Sequence, residues 1–225
     1  VTKSIDLAAG QVEIRCSTLS DGDFHIDVPA AALELRRQAF TPGVWTQLDE
    51  VHGTDVRRVT HPGEHDRAVG DALVTNLAEA VLAVWVGDCA PVALVGTDGA
   101  LAAVHAGWKG ALDGVLANTV AAMRCQPGTV TGYLGPCIHP CCYEFGADQL
   151  ASFHRRFDPR VATTTSWGTP ALDLPQVVTT ALGEVGVPVV DIGGCTGCRD
   201  DLWFSHRRRH QTHRQVMTVC RREAR

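Results

Sequence analysis

Between residues 80 and 105 the chain is apolar except at two short polar interruptions, and this stretch sets the fold. Residues 80–86, AVLAVWV, form a nearly continuous Val/Ala-rich run, the pattern of a strand buried on both faces. Residues 92–95 and 100–105 predict two more short strands. Thr97-Asp98-Gly99 between them is a hairpin signal. The period then changes. Leu112, Val115, Leu116, Thr119, Val120 and Met123 fall at helical spacing, predicting one helix over 110–124 with a single face toward the core.

The flanks are read the same way. Residues 12–18, 44–51, 130–134, 188–192 and 215–220 predict strands. A short extended piece is expected at 203–205. Residues 30–39, 149–157 and 174–185 predict helices, the first ended by Pro42-Gly43. Residues 61–70, polar and containing Pro and Gly, predict an exposed loop. Hairpins mixed with crossover helices point to a layered α/β fold with a mixed rather than purely parallel sheet. A length of 225 residues suits one domain spanning 1–225, and no repeat or linker divides it.

Composition narrows the function classes. Hydrophobic residues make up 45% of the chain, enough for a sizeable core. A net charge of −5 argues against a general nucleic-acid binder. No uninterrupted apolar stretch of about 18 residues is present, so no membrane span is expected. The opening residues lack a basic segment followed by an apolar run. The expectation is therefore a cytoplasmic protein whose nine cysteines are reduced. Cys16, Cys125 and Cys220 read as small buried hydrophobes.

Three segments place a metal-ligating side chain beside a turn: Val51-His52-Gly53-Thr54-Asp55, Gly87-Asp88-Cys89-Ala90-Pro91 and Val104-His105-Ala106-Gly107-Trp108. One Cys and two His suit zinc with an open fourth position, as catalytic sites require. A lone cysteine is as often a packed core residue. Asp88 beside Cys89 shifts the balance, because a charge rarely sits inside a packed strand. A strand, a tight turn and a return strand can bring Cys89 and His105 together. Spacing alone does not place His52 with them. A helix beginning just after His105 would offer its first amides to an anion.

Two further clusters stand out. Cys137, His139, Cys141 and Cys142 lie within six positions, and Cys195-Thr196-Gly197-Cys198 follows much later. The wide gap does not suit a zinc ribbon, so Cys137, Cys141, Cys142, Cys195 and Cys198 are expected to hold no second metal. Residues 204–214, FSHRRRHQTHR, are ordinarily a solvated basic loop. On a helix, His206, His210 and His213 would share a face, and the arginines would suit a small phosphate or carboxylate ligand.

Taken together, HGTDV from His52, GDALVT at 70–75, GDCAPV around Cys89, AAVHAGWKG around His105, GPCIHPCCYEFG from Gly135 and FSHRR from Phe204 resemble the YfiH/DUF152 family. This is the multicopper polyphenol oxidase, or laccase-domain, family, and it includes purine nucleoside phosphorylases and peptidoglycan editing factors. The resemblance covers most of the chain in order. It implies His52, Cys89 and His105 as metal ligands and an α/β/α/β architecture similar to the catalytic domain of a cytotoxic necrotizing toxin. The chain departs from the family pattern early. An asparagine usual in the first helix is absent, and Arg36 stands where the family arginine is expected. The usual Thr-Gly-Arg reads Thr212-His213-Arg214.

The activity implied is zinc-dependent phosphorolysis of adenosine, inosine, guanosine and methylthioadenosine, with adenosine deamination at the same site. Cys89, His105 and Asp88 are the expected catalytic residues. Arg36, His139 and Arg207 are the expected substrate contacts, and Asp88, Glu144 or His139 the proton-shuttle candidates. The expected partners are nucleoside and phosphate, acting on a monomer. Cu²⁺ is the alternative metal, since a Cys/His site binds it tightly. A copper phenol oxidase is ranked lower because the ten histidines include no His-x-His pair. The remaining readings are an amidase editing peptidoglycan precursors, a metal-free Cys89–His105 nucleophile and a non-enzymatic binding protein.

Overall fold

The structure, a computed structural model, describes residues 1–8, 10–126 and 128–222. The chain opens with β1 (Thr2–Leu7) and β2 (Gly10–Cys16), then α1 (Ala30–Phe40), β3 (Val44–Gln47), β4 (Val56–Arg58) and β5 (Ala72–Thr75). The apolar centre gives β6 (Ala80–Val86), β7 (Ala90–Gly96) and β8 (Leu101–Ala106). Helices α2 (Trp108–Asp113) and α3 (Val115–Met123) and strand β9 (Val130–Leu134) follow. The last third holds α4 (Ala147–Arg156), β10 (Ala162–Thr164), β11 (Pro170–Leu172), α5 (Leu174–Gly183), β12 (Val189–Asp191), the one-turn α6 (His206–Arg209) and β13 (Gln215–Arg222).

Two mixed sheets carry the architecture. One has the order β1-β2-β13-β6-β3, with only β3 and β6 parallel. The other has the order β12-β9-β7-β8-β5-β4, parallel at its two outer pairs and antiparallel within. Strands β10 and β11 form a small separate pair.

The continuous apolar runs exist because the central strands bury both faces. Leu82 and Val84 of β6 meet Leu73, Leu101 and Ala103 of the second sheet. Val81 and Ala83, on the opposite face, pack with Leu33 and Phe40 of α1 and with Phe24 and Trp45. In β7, Ala93 and Val95 face the first sheet, while Val92 and Leu94 face the core formed with α3, α4 and α5. The layers therefore run helix, sheet, sheet, helix. Truncating a fully buried leucine such as Leu82 or Leu94 to Ala costs about 2–5 kcal/mol at such positions.

Three expectations change. The helix over 110–124 is two helices, because the backbone turns left-handed at Gly114 with φ of 99°. The strand over 44–51 ends at Gln47, after which the chain leaves the first sheet. The basic cluster is helical only over His206–Arg209, and His210 is left-handed with φ of 54°. His206, His210 and His213 consequently share no helical face, and the His213 ring stacks on Phe204. Strands β1, β4, β5, β10 and β11 are additions. Four of them have no more than four residues, too few for an alternation to register, and β1 is an exposed edge.

Candidate metal centre and its pocket

The candidate ligands collect where the chain crosses from one sheet to the other. His52 lies in the connection from β3 to β4, which crosses from the first sheet to the second. Cys89 lies in the connection from β6 to β7, which makes the same crossing. His105 is on β8, two residues past Ala103 and so on the face that looks toward the first sheet. The ligand atoms of His52, Cys89 and His105 all lie within 4.8 Å of one another. Cys89 Sγ is 3.6 Å from His52 Nε2. Nitrogen and sulfur ligands on one tetrahedral zinc ion stand about 3.5 Å apart, given bonds of about 2.0 and 2.3 Å.

Carboxylates behind the ligands fix their orientation. His105 Nδ1 is 2.9 Å from Asp71 Oδ1 and 3.5 Å from Glu50 Oε2, which leaves Nε2 for the cluster. Asp71 Oδ1 also accepts the His52 amide at 2.8 Å, and Oδ2 accepts the Gly53 amide at 2.7 Å. One buried carboxylate thus holds a ring on β8 and the loop that carries His52. Glu50 accepts the Trp85 amide at 2.9 Å. Gly107 closes the arrangement: a Cβ there would stand 2.5 Å from His52 Cδ2, so only glycine lets the imidazole lie so near the backbone.

The electrostatics follow from burial and pairing. Burial raises the Cys89 thiol, but His105 and hydrogen bonds from both imidazoles outweigh it and bring the pKa to about 6. Burial lowers His105, yet Glu50, Cys89 and Asp71 together hold it well above the usual imidazole range. Burial pushes Glu50 up to about 8, against the pull of His105. For Asp71, burial acts upward and is outweighed by bonds from His105, Gly53 and His52, leaving its pKa below the usual carboxylate value. The donor set and these partners fit a thiophilic divalent ion: one thiolate, two imidazoles and a carboxylate aligning one of them.

The cluster forms one side of a cavity of about 330 Å³, whose wall includes Trp85, Trp108, Tyr143, His206, Arg207 and Arg214. Arg207 lines this cavity. Its guanidinium lies over the Tyr143 ring at 4.8 Å and donates to the Glu144 carbonyl at 2.6 Å. Asp88 also lines the cavity, with both carboxylate oxygens engaged. Oδ1 accepts the Thr196 hydroxyl at 2.6 Å and Oδ2 accepts the Arg207 amide at 2.7 Å. That bonding ties two loops together through Asp88.

Arg36 and His139 lie outside the cavity wall. Arg36 donates to the Asp23 carbonyl at 2.8 Å, beneath the turn at Gly22. His139 sits beside the second cysteine cluster, its amide 3.4 Å from Cys195 Sγ. Glu144 is exposed and its carboxylate bonds to Trp167. Sequence reasoning missed Glu50, Asp71 and Arg214. Asp71 and Glu50 left a faint signal as acids abutting an apolar run or a candidate ligand. Arg214 was noted only as the arginine of the altered Thr212-His213-Arg214 segment.

Residues 14–222 match the family described as multi-copper polyphenol oxidoreductase laccase. A purine nucleoside phosphorylase of Xylella fastidiosa (strain Temecula1) is 37% identical over 210 residues, covering 88% of this chain and 80% of that protein. The purine nucleoside phosphorylase YfiH of Escherichia coli K12 is 35% identical over 204 residues, covering 86% and 82%. The crystal structure of YlmD from Geobacillus stearothermophilus superimposes with a TM-score of 0.81 at 27% identity, over 96% of this chain and 93% of that one. A Neisseria meningitidis structure assigned to DUF152 gives 0.82 at 26% identity, over 98% and 99%. Family match, identity and shared fold agree, and the chain belongs to the multi-copper polyphenol oxidoreductase laccase family, the DUF152 group of the YfiH and YlmD proteins.

Proposed function

We propose that this protein is a metal-dependent purine nucleoside phosphorylase that also deaminates adenosine at the same site. The carrying observation is the His52–Cys89–His105 cluster opening into a cavity whose wall bears Arg207 and Arg214. The names of the relatives point the same way. His52, Cys89 and His105 would hold the ion, and when bound it supplies Lewis acidity and a lowered pKa for coordinated water.

The chain's own groups account for binding and charge. Trp85, Trp108 and Tyr143 offer flat apolar faces to a purine. Arg207 and Arg214 offer the paired donors that a phosphate dianion requires. In phosphorolysis a phosphate oxygen bonds to C1′ of the ribose while the C1′–N9 bond breaks, its electrons passing to the purine. Arg207 and Arg214 neutralise the nucleophile and hold it in line. Glu50, pushed up to about 8 by burial, lines the cavity beside His105, where it can hold a proton. Asp88 positions Arg207 through its amide.

The substrate range follows the family: adenosine, inosine, guanosine and methylthioadenosine, with zinc as the metal and the cytoplasm as the compartment. A laccase reading is less supported. Among the described residues the clusters able to hold a metal are His52–Cys89–His105 and a set of four cysteines, and neither supplies the several histidines of a multicopper centre. The test is product analysis. Adenosine with phosphate should give adenine and ribose 1-phosphate, and adenosine with water should give inosine. His52→Ala and His105→Ala should abolish both. Absence of purine products at every metal loading, with cleavage of a peptidoglycan precursor, would transfer the assignment to an amidase.

A further inference from the structure

The two cysteine groups that lie far apart in sequence meet in space. Cys141 and Cys142 sit on the one-turn 3-10 helix Pro140–Cys142, and Cys195 and Cys198 on a turn beyond β12. The parallel bridge between Cys137 and Cys195 brings the two segments side by side. The four sulfurs of Cys141, Cys142, Cys195 and Cys198 all lie within 4.8 Å of one another. Cys141 Sγ is 3.7 Å from Cys195 Sγ and 3.4 Å from Cys198 Sγ, and Cys142 Sγ is 3.4 Å from Cys198 Sγ. Four thiolates around a tetrahedral zinc, with bonds of about 2.3 Å, stand about 3.8 Å apart. A disulfide requires about 2.0 Å and could join the four only in pairs.

The surroundings are those of a built metal site. The His139 amide points at Cys195 Sγ from 3.4 Å, an N–H to sulfur bond of the kind that supports a ligating thiolate. Cys195-Thr196-Gly197-Cys198 has the two-residue ligand spacing of a zinc knuckle, and the amides of Cys198 and Arg199 both return to the Cys195 carbonyl at 3.2 Å. Gly197 is obligatory, because a Cβ would stand 2.6 Å from Cys142 Cβ and 3.0 Å from its sulfur. Arginines offset the negative charge of such a centre. Arg208 packs its chain against Gly197, and Arg209 donates to the Gly197 and Thr196 carbonyls. Cys142 and Cys195 are buried, Cys141 is half-buried and Cys198 exposed, so the set lies at the surface, and its four sulfurs would fill a tetrahedral ion and leave no position for substrate.

We propose that Cys141, Cys142, Cys195 and Cys198 bind one structural zinc ion, separate from the His52–Cys89–His105 centre. Sequence spacing misses it because the ligand pairs are 53 residues apart along the chain and are brought together by the parallel pairing of β12 with β9. The all-sulfur set suits zinc as a structural ion. The site would lock the segment that carries Thr196, whose hydroxyl holds Asp88 next to Cys89. A structural ion here would therefore brace the cavity wall without touching substrate.

The proposal stands apart from the catalytic reading, and its test removes the other centre first. In full-length His52→Ala/Cys89→Ala protein, elemental analysis should find one zinc per chain. Adding Cys141→Ser or Cys195→Ser should remove it. Cobalt substitution in the same background should give an intense sulfur-to-cobalt charge-transfer band that is lost with either serine. Should the serine variants fail to fold, titrating the parent double variant with a mercurial should release one zinc as these four thiols react. No zinc in the double variant, zinc unaffected by the serines, iron in its place, or a disulfide among these cysteines in anaerobically purified protein would each overturn the proposal.

Discussion

Asp71 Oδ1 lies 2.9 Å from His105 Nδ1 while the same carboxylate accepts the amides of His52 and Gly53. A single side chain therefore orients one candidate ligand and anchors the loop of another. Asp71→Ala should weaken metal binding by about 10–100-fold, the usual effect of removing a group that orients a ligating histidine. Competition with a chelating dye measures it. An unchanged affinity would mean that the histidine is held by packing alone.

Metal affinity should rise with pH in two regimes. Binding requires the thiolate of Cys89 and the neutral imidazole of His105. Below pH about 6 the Cys89 proton must be displaced as well as that of His105, so the slope of affinity against pH steepens there by about one decade per unit. Above 6 the thiol is already ionised while His105 still releases a proton, so the slope is shallower. Isothermal titration in buffers of different ionisation enthalpy counts the protons released. A single slope across pH 6 would contradict the paired titration.

Arg207→Ala should reduce kcat/KM for phosphorolysis by about 10–100-fold, the worth of a hydrogen bond to a charged group. Deamination, which uses water in place of phosphate, should change much less. Chromatography of the two reactions on one preparation separates loss of phosphate binding from collapse of the site.

Asp88→Ala should act mainly on stability. It leaves the Arg207 amide and the buried Thr196 hydroxyl without their acceptor, at a cost of about 1–3 kcal/mol for the hydroxyl. Urea midpoints read the loss. The pH profile of kcat should keep its shape, which a proton shuttle at this position would not allow.

Gly107→Ala should expel His52 from the cluster although no ligand is changed, because the added methyl would meet His52 Cδ2 at 2.5 Å. The expected result is a folded protein with circular dichroism near the parent and metal content sharply reduced.

How far the sequence could be read depended on the range of the interactions. Strand β6 was legible to the residue because a seven-residue run buried on both faces has no polar position to blur its ends. Cys89 and His105 were legible together because one hairpin joins them. Asp71 was not, because its role depends on the register of β5 against β8, which no local pattern encodes. Arg36 was read as an anion donor because it stands where the family arginine is expected, and a bond to the Asp23 carbonyl holds it outside the cavity wall. The helix over 110–124 was read as continuous because its apolar period survives the left-handed residue at Gly114. The four cysteines escaped because a 53-residue gap hides a contact made by sheet pairing.

The crossings that carry His52 and Cys89 run from one sheet to the other at the same end of the molecule. Among the described residues no strand ladder joins the two sheets, and side-chain packing fills the space between them. An ion gripped by both crossings and by β8 would act as a rivet through the two layers. Its removal would loosen this edge before any other part. Catalytic competence and the mechanical closure of the sandwich would then report on the same occupancy, each tenfold of free metal above its dissociation constant adding about 1.4 kcal/mol to the folded state.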